Sequence, residues 1–235
     1  MKNLLITGAT SGIGLHAARF FAAQGNRLCL VGRSEEKITE LKNELGGNHI
    51  YIKYDFGNPG DVESILHEIK ENRIKLDGLV YCAGIGSNHG IRGIDLNDSI
   101  QMYKVNFESY LALCSHFIRK EYSNDGASIV GIASITVRTC YPGTASYCSS
   151  KAAMISLNKI LSKEVLRRKI RVNTILPAYV NTPMSGGMPD DKLLSEQPWG
   201  YLETEDVVNA IDFLVSDKSK MITGSELVIS GGMTF

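Results

Sequence analysis

Short apolar runs alternate with longer amphipathic stretches along the whole chain. The apolar runs predict seven strands, at residues 3–7, 27–32, 49–53, 78–82, 128–133, 171–176 and 226–229. The stretches between them predict helices, for example at residues 14–24, 34–45, 61–72 and 204–216. This alternation is typical of an α/β fold: a doubly wound parallel sheet of about seven strands with helices on both faces.

Composition limits the domain count and the class of partner. No linker or repeat divides the 235 residues, so we predict one domain over residues 1–235. Residues 183–201 are rich in Gly, Pro, Ser and Met, and we expect a substrate loop or lid there. Lys+Arg and Asp+Glu both total 25, and the resulting zero net charge argues against nucleic-acid or anionic-membrane partners. No apolar run approaches the roughly 18 residues of a membrane span.

Cysteines and histidines are scattered. The five cysteines have no C-x-x-C spacing and indicate reduced thiols in a cytoplasmic protein: Cys29, Cys82, Cys114, Cys140 and Cys148. None of the five histidines clusters with other ligand types, so we expect no metal site.

A glycine-rich turn joins the first predicted strand to the first predicted helix. Glycines there allow a tight turn and close approach of a pyrophosphate, which the helix N-terminus attracts. The candidate contacts of the nucleotide are Gly8, Thr10, Ser11, Gly12, Ile13 and Gly14. The T-G-x-x-x-G-I-G spacing, together with later motifs, resembles the short-chain dehydrogenase/reductase family. That resemblance implies a Rossmann-like domain and an oxidoreductase that moves a hydride between a nicotinamide and a carbonyl or secondary alcohol.

The end of the second predicted strand bears on the choice of cofactor. Gly32 stands where NAD-binding family members carry an Asp, and Arg33 follows it. A guanidinium pairs with a 2′-phosphate, whereas a carboxylate repels it, so we predict NADP(H) rather than NAD(H). Ser34 could add a hydroxyl contact. The alternative is that Arg33 is a solvated residue at a helix start.

Other cofactor contacts follow from the family resemblance alone. Asp55 resembles the acidic residue that meets the adenine, and Ala83-Gly84 match half of the family's N-N-A-G motif, with Cys82 in place of the second Asn. Further along the chain, the resemblance implies contacts with the nicotinamide side from Pro177, Val180 and Thr182. Ala178 replaces the usual Gly after Pro177, which adds only a methyl group.

Tyr147 and Lys151 are the candidate proton donor and its cationic neighbour. Positions four apart share one face of a helix, so the ammonium lies near the phenol. We expect Lys151, with the positive nicotinamide of the oxidised complex, to lower the pKa of Tyr147 from about 10. Tyr147 could then act as acid or base near neutral pH.

The family resemblance adds two members to this pair. Ser134 precedes Tyr147 by the family's spacing and would hydrogen-bond the substrate carbonyl. Asn106 matches a helix-borne Asn that, in the family, holds a water linked to the Lys. The predicted catalytic tetrad is therefore Asn106, Ser134, Tyr147 and Lys151, and Tyr147 and Lys151 are also expected to contact the cofactor.

The substrate is left open by the motifs. The C-terminal run, residues 222–233, looks most like 3-oxoacyl-(acyl-carrier-protein) reductases, in which basic residues near the site mouth receive the acidic carrier protein. Arg168 falls at one such position, but the second is occupied by Ser123-Asn124-Asp125. The alternatives are an enzyme for a free small molecule, such as a sugar derivative, hydroxy acid or steroid-like alcohol, and a non-catalytic NADP-binding subunit.

Three expectations concern the surface. The family commonly forms tetramers through two long helices, here residues 106–119 and 149–167, so we expect a homotetramer or dimer. The second helix carries more apolar residues than one buried face requires. Arg92 and Arg138 follow strand ends and would favour an anionic substrate, unless they are solvated. Met184, Met188 and Trp199 suggest that the lid is apolar.

Overall fold

The computed structural model describes residues 1–186 and 195–233. Its strands are β1 (Asn3–Thr7), β2 (Arg27–Gly32), β3 (Ile50–Lys53), β4 (Leu76–Tyr81), β5 (Ser123–Ile132), β6 (Arg171–Pro177) and β7 (Glu226–Ile229). They form one sheet in the order β3-β2-β1-β4-β5-β6-β7, and every pair is parallel. The predicted doubly wound sheet is therefore confirmed.

Helices cover both faces of this sheet. They are α1 (Gly12–Ala23), α2 (Glu35–Leu45), α3 (Glu63–Glu71), α4 (Leu96–Tyr103), α5 (Ser109–Phe117), α6 (Thr136–Thr139), α7 (Ala145–Glu164) and α8 (Thr204–Val215). Successive strand residues point to opposite faces, so Leu5 joins one apolar cluster while Leu4 and Ile6 join the other. Helices α3, α5 and α7 pack in the first cluster, and α1 and α8 pack in the second.

Several elements begin or end a few residues from their predicted bounds, and the largest differences are in β5 and in the helix expected before it. Strand β5 begins at Ser123 rather than residue 128, because Ser123 pairs with Leu76 before the register shifts. The long helix expected at residues 106–119 is interrupted by a π-helical turn, Lys104–Glu108, between α4 and α5. The inserted residue of a π turn changes the direction of the side chains that follow, and such turns are frequent at functional sites.

The described residues include no helix that is both long and apolar enough to cross a lipid bilayer. Of the predicted lid, residues 183–186 and 195–201 are described, whereas Met188 lies outside the described residues.

Candidate active site

The glycine-rich turn lies where the strand order reverses, between β1 and its two neighbours β2 and β4. Gly8 has a left-handed φ of +64°, and a Cβ on it would lie 3.0 Å from the backbone nitrogen of Ala83. A Cβ on Gly14 would lie 2.3 Å from the Gly8 carbonyl oxygen, so only glycine allows helix α1 to start this close to the strand. The turn therefore has the tight geometry that a pyrophosphate site needs.

Thr7 links the end of β1 to the residues that follow β4, beside this turn. Its Oγ1 accepts the backbone N–H groups of Cys82 and Ala83, both at 3.1 Å. In this way the Ala83-Gly84 segment is held against Gly8, at the carboxyl edge of the sheet. Ligands of doubly wound sheets bind at this edge, at the switch point.

A cleft of about 210 Å³ opens at this switch point. It is lined by half of the predicted cofactor contacts: Gly8, Thr10, Ser11, Arg33, Ser34, Asp55, Ala83 and Gly84. Gly12, Ile13 and Gly14 lie in the first turn of α1, next to the cleft rather than in its lining. The cleft therefore brings together the residues that the sequence pattern assigned to the adenosine and pyrophosphate part of a dinucleotide.

The adenosine end of the cleft contains a cation that the sequence analysis missed. Lys37, in the first turn of α2, lines the cleft together with Arg33. The Ser34 hydroxyl accepts the backbone N–H of Lys37 at 3.3 Å and so caps α2. A Cβ on Gly32 would lie 2.6 Å from Thr10 Cγ2, so an Asp there would require neighbouring atoms to move. Lys37 could have been found from its position four residues beyond Arg33 at a helix start.

Asp55 also lines the cleft, but its side chain already has a local role. One carboxylate oxygen accepts the backbone N–H of Gly57 at 2.9 Å, which stabilises the turn after β3. Asp55 lines the cleft together with its neighbours Tyr54 and Phe56.

Asn106 lies in the π-helical turn and is fully buried. Its Oδ1 accepts the Ile85 backbone N–H at 2.9 Å, and its Nδ2 donates to the Ile85 carbonyl at 2.9 Å. Nδ2 also donates to Ser150 Oγ at 3.0 Å. The side chain of Asn106 therefore ties the loop after β4 to helix α7, which carries Tyr147 and Lys151.

Lys151 extends from α7 to the inner end of the cleft, and its side chain is almost fully buried. Its Nζ donates to the Ile132 carbonyl at 2.8 Å and lies 5.8 Å from the centre of the Tyr147 ring. A Cβ on Gly84 would lie 3.2 Å from this Nζ, so a side chain at position 84 would crowd it. Burial lowers the pKa of Lys151 from 10.5 to about 8, which leaves the ammonium charged at neutral pH.

The expected lowering of the Tyr147 pKa is wrong for the protein alone. Burial raises the pKa of Tyr147, and a hydrogen bond with the Ser134 side chain opposes this only in part. The Lys151 Nζ lies 5.8 Å from the centre of the ring, and the charge of Lys151 is not among the causes that shift the pKa of Tyr147. Tyr147 is therefore protonated at neutral pH and is prepared to donate a proton.

Ser134 lies two residues beyond the end of β5 and is 8% exposed. Its Oγ accepts the Thr136 backbone N–H at 3.2 Å and hydrogen-bonds with Tyr147. The other face of the Tyr147 ring packs on Gly86, where a Cβ would lie 3.3 Å from Tyr147 Cδ2. All four members of the predicted tetrad thus lie around the Gly84 end of the cleft.

The residues predicted to meet the nicotinamide follow β6. Pro177 ends that strand, and its carbonyl accepts the Ile135 backbone N–H at 2.9 Å, which links it to the Ser134 loop. Val180 forms an isolated bridge with Leu202. Thr182 caps a short helical turn, and its methyl group would lie 3.3 Å from a Cβ on Gly12.

Two arginines do not lie where the substrate expectations need them. Arg138 forms an ion pair with Glu226 of β7, which also binds Lys159 at 2.5 Å, so Arg138 is drawn away from Ser134. Arg168 lies before β6, at the edge where the strands begin, and not at the mouth of the cleft. It binds Asp125 at 2.7 Å and the carbonyls of Ile118 and Ser123, so its role is structural.

The remaining surface expectations concern exposed side chains. Arg92 lies in an exposed helical turn, Ile91–Gly93, in the loop that follows β4. Met184 and Trp199 are 57% and 87% exposed, as apolar residues of a loop near a substrate site would be.

Comparison with known proteins agrees with this geometry. A family model described as "Enoyl-(Acyl carrier protein) reductase" matches residues 8–234. The chain belongs to the short-chain dehydrogenase/reductase family and is an oxidoreductase acting on CH–OH or C=O groups.

Among its relatives are two 3-oxoacyl-(acyl-carrier-protein) reductases. That of Rickettsia bellii is 34% identical and is covered over 96% of its length, and the human one is 30% identical and covered over 98%. Each alignment spans 99% of this chain. A 3-ketoacyl-(acyl-carrier-protein) reductase of Brucella melitensis, solved in complex with NADH, superposes with a TM-score of 0.92 at 27% identity. That superposition covers 100% of this chain and 98% of the other.

Proposed function

We propose that the chain is an NADP(H)-dependent reductase of 3-oxoacyl thioesters, in which Asn106, Ser134, Tyr147 and Lys151 form the catalytic group. The observation that carries this proposal is the meeting of Ser134, Tyr147 and Lys151 beside Gly84, at the inner end of the cleft. Asn106 lies behind them and holds the loop after β4 against α7.

The cleft suits the cofactor because its walls consist of backbone atoms and glycines at the points where the cofactor would come closest to the protein. Gly8, Gly14 and Gly84 would each meet protein atoms within 3.2 Å if they carried a Cβ. The turn at Gly8 and the N-terminus of α1 would hold the pyrophosphate, and Val180 and Thr182 would hold the carboxamide. When bound, NADPH supplies the hydride for the substrate carbon.

Residues of the chain stabilise the negative charge that grows on the substrate oxygen and supply the proton that neutralises it. The Ser134 hydroxyl donates to the substrate oxygen as negative charge grows on it. Tyr147 gives that oxygen its proton, and the raised pKa of Tyr147 keeps this proton available at neutral pH. Lys151, still charged below pH of about 8, stabilises the phenolate left on Tyr147 and binds the nicotinamide ribose.

The preference for NADP(H) rests on two cations at one end of the cleft. Arg33 and Lys37 both line it, and neither has a carboxylate partner among the ion pairs of the described residues. A 2′-phosphate placed between them would gain two charge-assisted hydrogen bonds. NADH lacks that phosphate and would leave both cations solvated.

Titration of NADPH and NADH into Arg33→Asp and wild-type protein tests this preference. The loss of a charged hydrogen bond costs roughly 1.5–3 kcal/mol, so NADPH should bind the variant about ten- to a hundredfold more weakly, with NADH little changed. Lys42→Glu is the matched control, because Lys42 is exposed on α2, the helix that follows Arg33, but does not line the cleft. A wild type that prefers NADH would contradict the proposal.

The thioester substrate is supported by the relatives, which match this chain over almost their whole length. One observation favours a free small molecule instead. Arg168, the position that resembles a carrier-protein contact, is bound to Asp125 and to backbone carbonyls. A side chain so engaged offers little charge to an acidic carrier.

Two substrates with the same keto group separate these candidates. We expect NADPH oxidation with 3-oxobutanoyl-N-acetylcysteamine, a thioester that mimics the carrier arm, to exceed that with ethyl 3-oxobutanoate. An advantage of at least about tenfold in kcat/KM corresponds to about 1.4 kcal/mol of transition-state binding. Equal values would favour the free small molecule, and no oxidation of NADPH with either would reject the 3-oxoacyl class.

Two further features complete the proposal. All five cysteines are free, which fits a cytoplasmic protein. Apolar side chains exposed on α5 and α7 support a homo-oligomer, either a dimer or a tetramer.

A further inference from the structure

Two cysteines lie at the two ends of the loop that joins α6 to α7. Cys140 directly follows α6, and Cys148 lies in the first turn of α7, next to Tyr147. Both are anchored to one carbonyl: the Thr136 oxygen accepts the Cys140 backbone N–H at 2.9 Å and the Cys148 thiol at 3.2 Å. The two residues are therefore neighbours in space, although seven residues separate them in the chain.

Their thiols bond carbonyls of the same helix, α6. The Cys148 thiol donates to the Thr136 carbonyl, and the Cys140 thiol donates to the Val137 carbonyl at 3.9 Å. The two thiols are near enough to interact, because Cys140 is, after burial, among the causes that raise the pKa of Cys148. Cys140 has a left-handed backbone, with φ of 49° and ψ of 47°. A residue other than Gly, Asn or Asp is uncommon in this region, and such strain is found where the surroundings impose it.

The exposure of the two thiols differs in a way that suits a sequential reaction. Cys140 is exposed to solvent and Cys148 is half-buried beneath it. Cys29 and Cys114 are buried in the core, and burial raises the pKa of each to about 12, so neither thiol is reactive. An oxidant in solution would thus meet Cys140 before any thiol of the core.

We propose that Cys140 and Cys148 form a redox-active dithiol that closes to a disulfide in the presence of a small disulfide oxidant and thereby slows turnover. The Cys140 thiolate attacks the small disulfide, forms a mixed disulfide and releases one thiol. The Cys148 thiol then loses its proton and attacks the Cys140 sulfur, which releases the second thiol. Two protein thiols become one S–S bond while the small disulfide is reduced to two thiols.

Closure would act on the catalytic group through the backbone. The disulfide joins the residue after α6, which lies between Ser134 and Tyr147, to the residue after Tyr147, and it takes Cys148 Sγ away from the Thr136 carbonyl. Because Tyr147 precedes Cys148, a shift at the start of α7 moves the phenol relative to Ser134. A misplacement of about 1 Å in a catalytic group can cost about 10²-fold in rate. This effect on turnover rests on the proposed function, whereas formation of the disulfide does not.

The chemical part is tested with oxidised glutathione on the full chain. The expected product has lost two hydrogen atoms in mass, and a non-reducing peptide map links Cys140 to Cys148. Cys148→Ser should instead stop at the first step and carry one glutathione on Cys140. A protein that gains glutathione without closing, or one that does not react, overturns the proposal.

The functional part compares wild type with Cys140→Ser in the same assay. Cys140 is exposed and outside the catalytic group, so the reduced variant should keep wild-type turnover. Oxidised glutathione should lower kcat of wild type by about ten- to a hundredfold, reversibly with dithiothreitol, and should leave Cys140→Ser unchanged. A mapped disulfide with undiminished kcat would refute the regulatory role, and an equal loss in both proteins would place the effect at another residue.

Discussion

Tyr147 is confined by its neighbours to one position and one protonation state. Gly86 packs on one side of its ring, Ser134 bonds its hydroxyl, and burial raises its pKa. Tyr147→Phe keeps the ring and removes the proton donor, so we expect turnover to fall by at least about 10²-fold while NADPH still binds. Tyr51→Phe is the control, because Tyr51 lies on β3 and its hydroxyl bonds only Gly46. Substantial activity in Tyr147→Phe would remove Tyr147 from the mechanism.

Lys151 makes stability depend on pH in a defined direction. Its pKa is 10.5 in the unfolded chain and about 8 when folded, so between these values the unfolded chain holds more protons. The contribution of this group to the free energy of unfolding therefore rises with pH from about 8 to 10.5 and is constant below pH of about 8. Each pKa unit corresponds to about 1.4 kcal/mol, so the total rise is on the order of 3 kcal/mol.

Urea unfolding of wild type and Lys151→Met at several pH values isolates this effect. Subtraction of the two curves removes the titration of all other groups. We expect the free energy of unfolding of wild type, relative to the variant, to increase across that window. A difference that does not change with pH would mean that Lys151 is not desolvated in the folded protein.

At the scale of elements, the π-helical turn and α7 must keep a fixed relative position. Ser150 is fully buried between them: its Oγ accepts Asn106 Nδ2 at 3.0 Å and donates to the Tyr147 carbonyl at 2.8 Å. Ser150→Ala breaks this link, and we expect kcat to fall several-fold with KM for the carbonyl substrate little changed. The free energy of unfolding should fall by about 1 kcal/mol.

Ser149→Ala provides the matched control for Ser150→Ala. Ser149 is exposed on the same turn of α7, and its hydroxyl bonds only helix carbonyls. Ser149→Ala therefore changes helix propensity by the same amount as Ser150→Ala but leaves the contact with Asn106 intact. If kcat falls equally in both variants, Ser150 does not position the catalytic group. A rise in KM instead of a fall in kcat would assign Ser150 to substrate binding.

The elements also explain what the sequence could and could not predict. The strands, the glycine turn and the Tyr147–Lys151 pair depend on local spacing, which the chain displays directly. The start of β5 depends on pairing of Ser123 with Leu76, a non-local contact that overrides the polar turn residues after it. The engagement of Arg138 by Glu226 is likewise non-local, so the sequence suggested a free guanidinium where the fold forms an ion pair.

At the scale of the whole molecule, several large apolar side chains on the helices stay exposed to solvent. Packing within a single chain does not account for this exposure. Leu111 on α5 is 41% exposed and Ile160 on α7 is 54% exposed, while Leu96 and Ile100 on α4 are 69% and 52% exposed. The sequence predicted surplus apolar surface on the long helix after residue 149, and the exposed side chain of Ile160 on α7 is part of such a surface. Burial of such side chains in an interface stabilises association by about 25 cal/mol per Å².

We therefore expect a dimer or tetramer in sedimentation at micromolar concentration, and a smaller species for Leu111→Asp combined with Ile160→Asp. Two carboxylates placed in an apolar interface would lose hydration without gaining partners, which opposes association. Met221→Asp is the control, because Met221 is 88% exposed and lies in the turn before β7 rather than on α5 or α7. A wild type that sediments as a monomer would contradict assembly, and dissociation by Met221→Asp alone would move the interface to the β7 side of the sheet.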